Sequence, residues 1–149
     1  MAIGTGSAVE NFDAQSLAIT TSASIADGGF SSTAMATAIT NSENCMVAAA
    51  VFQGTFAANP SGVVNLYARK LNVQSANSEN TPDGNNTGGY VGSFPLDAGQ
   101  TAQVVAIEIP LQNIGASQQY EFYISNDGVA SLNSGATVHV TPKAVVPKA

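Results

Sequence analysis

Turn-forming residues interrupt this chain at short intervals, and the apolar runs between them have the length of β-strands rather than of helices. The clearest case lies between Val47 and Leu71, where two apolar runs are joined by Asn59-Pro60-Ser61-Gly62. Pro at the second turn position presets φ, Asn at the first bonds back to the backbone, and Gly closes a type I turn. The arrangement predicts a hairpin.

The same reading extends along the chain. Leu17–Thr21 predicts a first strand, and Asp27-Gly28-Gly29 a break after it. Ser31–Ile39 is either a second strand or a short irregular stretch. Cys45–Phe56 is apolar on both faces at its centre, the pattern of a strand covered on both sides. Val63–Leu71 alternates, with Val64, Leu66 and Ala68 on one face and Asn65, Tyr67 and Arg69 on the other. Tyr90–Leu96 and Ala102–Ile109 predict a further pair joined through Asp97-Ala98-Gly99-Gln100. In Gln119–Ser125, Tyr120, Phe122 and Ile124 point one way and Glu121 and Tyr123 the other; Asn126-Asp127-Gly128 ends the run. Ala136–Thr141 is the last strand, with Val138 and Val140 opposite His139, and Pro142 is expected to stop its pairing.

Seven or eight evenly spaced strands without a helix predict an all-β fold, an antiparallel β-sandwich of jelly-roll or Greek-key type. A chain of 149 residues is the size of one domain. The expected organisation is a single sandwich over 1–149, with extended arms at about 1–15 and 142–149. A polar loop at about 72–89 exceeds the ~12–15 residues at which structureless loops become uncommon.

Composition narrows the function. Only 9% of residues are charged, against roughly 25% in an ordinary domain. A net charge of −6 with four basic residues, Arg69, Lys70, Lys143 and Lys148, argues against nucleic acid or an anionic membrane surface as partner. The longest apolar run, Cys45–Phe52, is far short of the ~20 residues that span a bilayer. The N-terminus lacks the basic and apolar stretches of a signal peptide, so synthesis in a cytoplasm is expected.

Reactive groups are few. His139 is the sole imidazole, and no Gly-x-Ser-x-Gly nucleophile turn is present, so no catalytic residue is assigned and no enzyme is expected. No cofactor site is assigned either. Glu108 and Glu121 are the carboxylates on predicted strands that share a face in one arrangement, and two solvated strand carboxylates are the simpler reading. The Asn80–Asn86 stretch offers oxygen ligands to calcium but lacks the spaced acids and closing Glu of an EF-hand, so no metal residue is assigned. Cys45, lying in an apolar run, is expected to be a small buried hydrophobe. Tyr67, Tyr90 and Tyr123 are expected to point outward and to contact a protein interface or a glycan.

Four segments carry a family resemblance: Leu66-Tyr67-Ala68-Arg69-Lys70-Leu71, Tyr90-Val91-Gly92-Ser93-Phe94-Pro95-Leu96, Tyr120 through Gly128, and Val138-His139-Val140-Thr141-Pro142-Lys143. They resemble small virion structural proteins of tailed bacteriophages, over the part of the chain from Val63 onward. The resemblance implies a non-enzymatic virion subunit, foremost a head decoration or cement protein that binds the assembled capsid. Its partners would be other virion proteins, the major capsid protein first among them, and copies of itself in a homo-oligomer. A tail or neck protein and a carbohydrate-binding sandwich are the alternatives.

Overall fold

The computed structural model describes residues 9–12, 16–41, 45–73, 77–111 and 118–146, with side chains from 16 to 143 within those ranges. Among the described residues nine strands form: β1 Val9–Phe12, β2 Ser16–Thr20, β3 Ile39–Thr40, β4 Val47–Thr55, β5 Val63–Lys70, β6 Tyr90–Pro95, β7 Ala102–Pro110, β8 Gln119–Asp127 and β9 Thr137–Val146. The one helical piece among the described residues is a single 3₁₀ turn, Thr33–Met35.

The strands make two antiparallel sheets. The first has the order β1-β9-β4-β7, with β2 pairing β9 beside β1. The second has the order β3-β8-β5-β6. Since β1 and β2 share one side of β9, the nine segments fill eight strand positions, as the turn spacing leads one to expect. The molecule is an all-β antiparallel sandwich.

The facing residues build one core. Ala48, Ala50 and Phe52 of β4 meet Val64 and Leu66 of β5, Phe122 and Ile124 of β8, and Val138 and Val140 of β9, all essentially without solvent contact. Phe52 lies 5.6 Å from Phe94 and 6.4 Å from Phe56, ring centre to ring centre. The alternations predicted for β5, β8 and β9 hold at these positions. β4 differs: its inner residues are buried, but Val47, Ala49 and Val51 on the outer face are only half-buried. Ala-rich centres leave that outer face apolar without requiring a cover.

Two expectations need correction. The predicted hairpin through Asn59-Pro60-Ser61-Gly62 is a crossover, because β4 belongs to the first sheet and β5 to the second. The turn bonds sideways: Ser61 N–H donates to Gly128 O at 2.9 Å, and Ala57 N–H to Ser131 O at 2.9 Å. Gly62 is required there, for its φ is +110° and a Cβ would sit 2.4 Å from Asp127 O. The Tyr90–Leu96 and Ala102–Ile109 runs likewise lie in different sheets.

The second correction concerns the arms. Within the expected N-terminal arm, Val9–Phe12 pairs with β9, and β9 runs through Pro142 to Val146. Pro142 is tolerated because it falls between the last β2 pair, Ser16↔Val140, and the first β1 pair, Phe12↔Lys143. At that step the ladder on one side has lapsed, so a missing donor costs little. Residues 1–8 and 147–149 of the expected arms lie outside the described residues.

Of the two readings of Ser31–Ile39, the irregular stretch holds up to Ile39, where β3 begins. Phe30 bridges Ser125 of β8, Ala36 bridges Ile19 of β2, and the 3₁₀ turn stands between them. This segment therefore spans from one sheet edge to the other and closes that side of the sandwich. Ser31 Oγ accepts the Ile124 N–H at 2.9 Å, and buried Asn126 donates to Ile25 O and Ala130 O at 2.9 and 2.8 Å. Buried polar groups here are bonded, as the cost of leaving them unpaired demands.

Candidate functional site

The outer face of the second sheet gathers the residues singled out from the sequence. Register places Tyr123 of β8 opposite Tyr67 of β5, and Tyr67 opposite Tyr90 of β6, so the three phenols form one row. Their exposure differs sharply. Tyr123 is 0% and Tyr67 6% exposed, whereas Tyr90 is 54% exposed. The expectation that all three point to solvent is corrected: they lie on the outer face, but two of them are covered.

The covering has named parts. Phe30, held against β8 by its bridge, lies 5.4 Å from the Tyr67 ring, and Tyr90 meets the same ring edge-on at 5.9 Å. The Arg69 guanidinium sits 5.7 Å from the Tyr123 ring centre. One Glu121 oxygen accepts from Arg69 Nε at 2.8 Å and from the Tyr123 hydroxyl at 2.7 Å, and Arg69 Nη2 lies 2.6 Å from it. Charge-assisted contacts of this kind are stronger than neutral ones, and partial burial weakens their screening. Burial, together with the bond to the Glu121 carboxylate, pushes the Tyr123 hydroxyl above its ordinary pKa of 10.0. Burial also raises Tyr120, with the Glu79 charge adding to it.

Arg69 also organises the polar stretch after β5. Its Nη1 donates to Glu79 O at 3.2 Å and to Thr81 Oγ1 at 3.1 Å. Glu79 in turn accepts the Lys70 N–H at 2.8 Å and returns its own N–H to Lys70 O at 2.9 Å. Gly89 O accepts the Ala68 N–H at 2.8 Å. The part of the 72–89 loop that is described is thus tied back along β5. Asp83 spends one carboxylate oxygen on its own turn, accepting from Asn85 N–H at 2.7 Å and Asn86 N–H at 2.9 Å. Among the described residues no group of three or more His, Cys, Asp or Glu stands close enough to hold a metal ion.

A second chain of polar contacts runs across the same face. Tyr90 Oη and Ser93 Oγ are 2.7 Å apart, Ser93 donates to Asn65 Oδ1 at 2.6 Å, and Asn65 Nδ2 reaches Asp127. The face is a bonded lattice of side chains, not an open set of donors. Beside Tyr90 a cavity of about 180 Å³ is lined by Lys70, Glu79, Val91, Pro110 and Tyr120.

The remaining candidates are separated by the fold. Glu121 faces outward from the second sheet and Glu108 from the first, so the two carboxylates point to opposite sides of the sandwich. Each has a cation, Arg69 at 2.6 Å and Lys143 at 2.5 Å. His139 stands half-buried on the outer face of the first sheet, between Leu17 and Val51. Cys45 is buried, as the apolar run around it leads one to expect. Asn41 clasps its backbone, accepting from Cys45 N–H at 2.9 Å and donating to Cys45 O at 2.7 Å. The Arg69–Glu121–Tyr123 knot was not legible beforehand; an isolated Arg alternating outward on a strand carried no signal of its partner. No protein-family model matches the chain, and no curated protein matches it.

Proposed function

We propose that this chain is a non-enzymatic structural subunit of a tailed-bacteriophage virion, foremost a decoration protein that binds the assembled capsid and stabilises it. The observation that carries the reading is the strand order. Nearly every connection crosses from one sheet to the other, giving β1/β2-β9-β4-β7 over β3-β8-β5-β6. That interleaving supports a jelly roll, the wrapping that recurs in viral capsid and lectin domains. The side-chain chemistry agrees with it: Arg69, Lys70 and Lys143 are engaged in ion pairs with Glu121, Glu79 and Glu108 that lock strands and loops. A subunit that binds only the assembled lattice stabilises it by mass action.

The test is co-sedimentation of the purified chain with capsids lacking it, followed by electron microscopy of intact particles. Density on the head surface is expected. Density confined to tail or neck moves the assignment to the alternative location, and absence from particles overturns it.

One observation favours a carbohydrate-binding reading as the second choice. Tyr90 is the exposed member of the tyrosine row and borders the cavity that Lys70 and Glu79 line. On that reading Tyr90→Ala abolishes glycan binding without unfolding the chain. A glycan array without signal removes it.

A further inference from the structure

We propose that β7 is the contact by which two copies of this chain associate, edge to edge and antiparallel, about a twofold axis. The inference specifies the homo-oligomer that the structural reading supposes. It is decided by solution mass, whereas that reading is decided by binding to particles.

The argument begins with the edges. An unpaired strand edge is a template for another strand, and proteins blunt such edges with brevity, bulges, prolines or covering segments. Three edges here are blunted. β3 is two residues long. The edge beside β9 is split between β1, of four residues, and β2, of five, and β2 carries a bulge between Leu17 and Ile19 and is bridged by Ala36. β6 has six residues and an irregularity opposite Leu66/Tyr67. Its Leu96 N–H bonds Gly62 O at 3.0 Å, so the neighbouring Pro95 faces the open side, where it has no donor to offer. β7 is different. It runs nine residues in unbroken register with β4, and among the described residues no strand pairs its other side.

Register says which groups are open. Phe56 N–H bonds Thr101 O at 2.9 Å and Leu111 N–H bonds Met46 O at 2.8 Å, both in step with the β4–β7 ladder. Hydrogen-bonded pairs alternate with unbonded ones, so odd-numbered residues of β7 bond β4. Ala102, Val104, Ala106, Glu108 and Pro110 direct their backbone groups away from it. Those same five are exposed, Val104 at 71%. Pro110 therefore loses no bond to β4, and its absent N–H limits the open ladder at one end.

What satisfies alternating donors and acceptors over this length is a β-strand, and β7 is complementary to itself. Centred on Val105, antiparallel pairing sets Val104 against Ala106 of the other copy and Ala102 against Glu108. Pro110 then falls outside the ladder. No like charges oppose each other, and Glu108 is neutralised by Lys143 at 2.5 Å. A contact of this kind uses the same patch on both copies and closes on itself. It joins the two first sheets into one and covers Val104.

Sedimentation velocity of the full chain across the micromolar range tests this. A dimer, or an even multiple, is expected. Val104→Lys, at an exposed position, is expected to halve the mass while leaving the circular dichroism spectrum unchanged. The double variant V104C/A106C is expected to give a disulfide-linked dimer on mild oxidation, whereas A106C alone is not, since Ala106 does not oppose itself. Buried Cys45 does not compete. A monomeric or odd-numbered wild type overturns the proposal, as does a dimer that Val104→Lys leaves intact or one that A106C crosslinks alone.

Discussion

At the scale of single residues, the chain separates side chains that fill the interior from those that knot the surface. Phe122 is 1% exposed, packed between the sheets, and Phe122→Ala is expected to cost about 3–5 kcal/mol in denaturant titration. A change near zero would show that the ring does not fill that space. Tyr123 gives a pH prediction. Its hydroxyl and that of Tyr120 are raised above 10.0, so the neutral phenol is favoured in the folded state. That contribution is complete below the unfolded value near 10 and is lost as pH rises through the higher folded values. Absorbance titration at 295 nm is expected to show two phenols ionising late, together with alkaline unfolding, and Tyr123→Phe to remove one of them. Facing of these residues was legible from alternation alone. Exposure was not: Tyr123 reads as an outward residue, and Arg69, arriving from β5, covers it together with Glu121 two residues away on its own strand.

Among the elements, the prolines and the long loop are most instructive. Pro142 reads as a stop, yet β9 passes through it, since whether a missing donor matters depends on whether a neighbour faces it. The 72–89 stretch reads as a loop, and its described residues form no strand, but its composition says nothing of the Arg69 contacts that hold it to β5. Arg69→Met leaves the Glu121 carboxylate, 16% exposed, without its cation and frees Glu79 and Thr81. A loss of about 1–3 kcal/mol is expected, on the scale of stranding a partly buried polar group. Hydrogen exchange at Glu79 and Lys70 should quicken more than at Ile124; equal protection in the variant would show that Arg69 does not anchor the loop.

At the level of the whole molecule, both sheets contribute to one core, so their unfolding is expected to be cooperative. Far-UV circular dichroism and tyrosine fluorescence, used because the chain has no Trp, should report a single midpoint; separated transitions would mean the sheets melt apart. Turn residues and period-two alternation act over a few neighbours, and they are enough to specify β-strands, their inward faces and the places where the chain reverses. They carry no information on where the reversed chain lands. Asn59-Pro60-Ser61-Gly62 suits a hairpin and a crossover equally, because the turn's own geometry does not depend on which strand receives the next one. Sheet membership, the burial of Tyr67 and Tyr123 and the open edge of β7 were decided by tertiary structure, where apolar faces from distant parts of the chain must be buried together and each backbone donor must find, or lack, a neighbour. By itself the sequence determined a β-sandwich with little reactive chemistry; packing of the two sheets decided which of its surfaces are closed and which remain to be met.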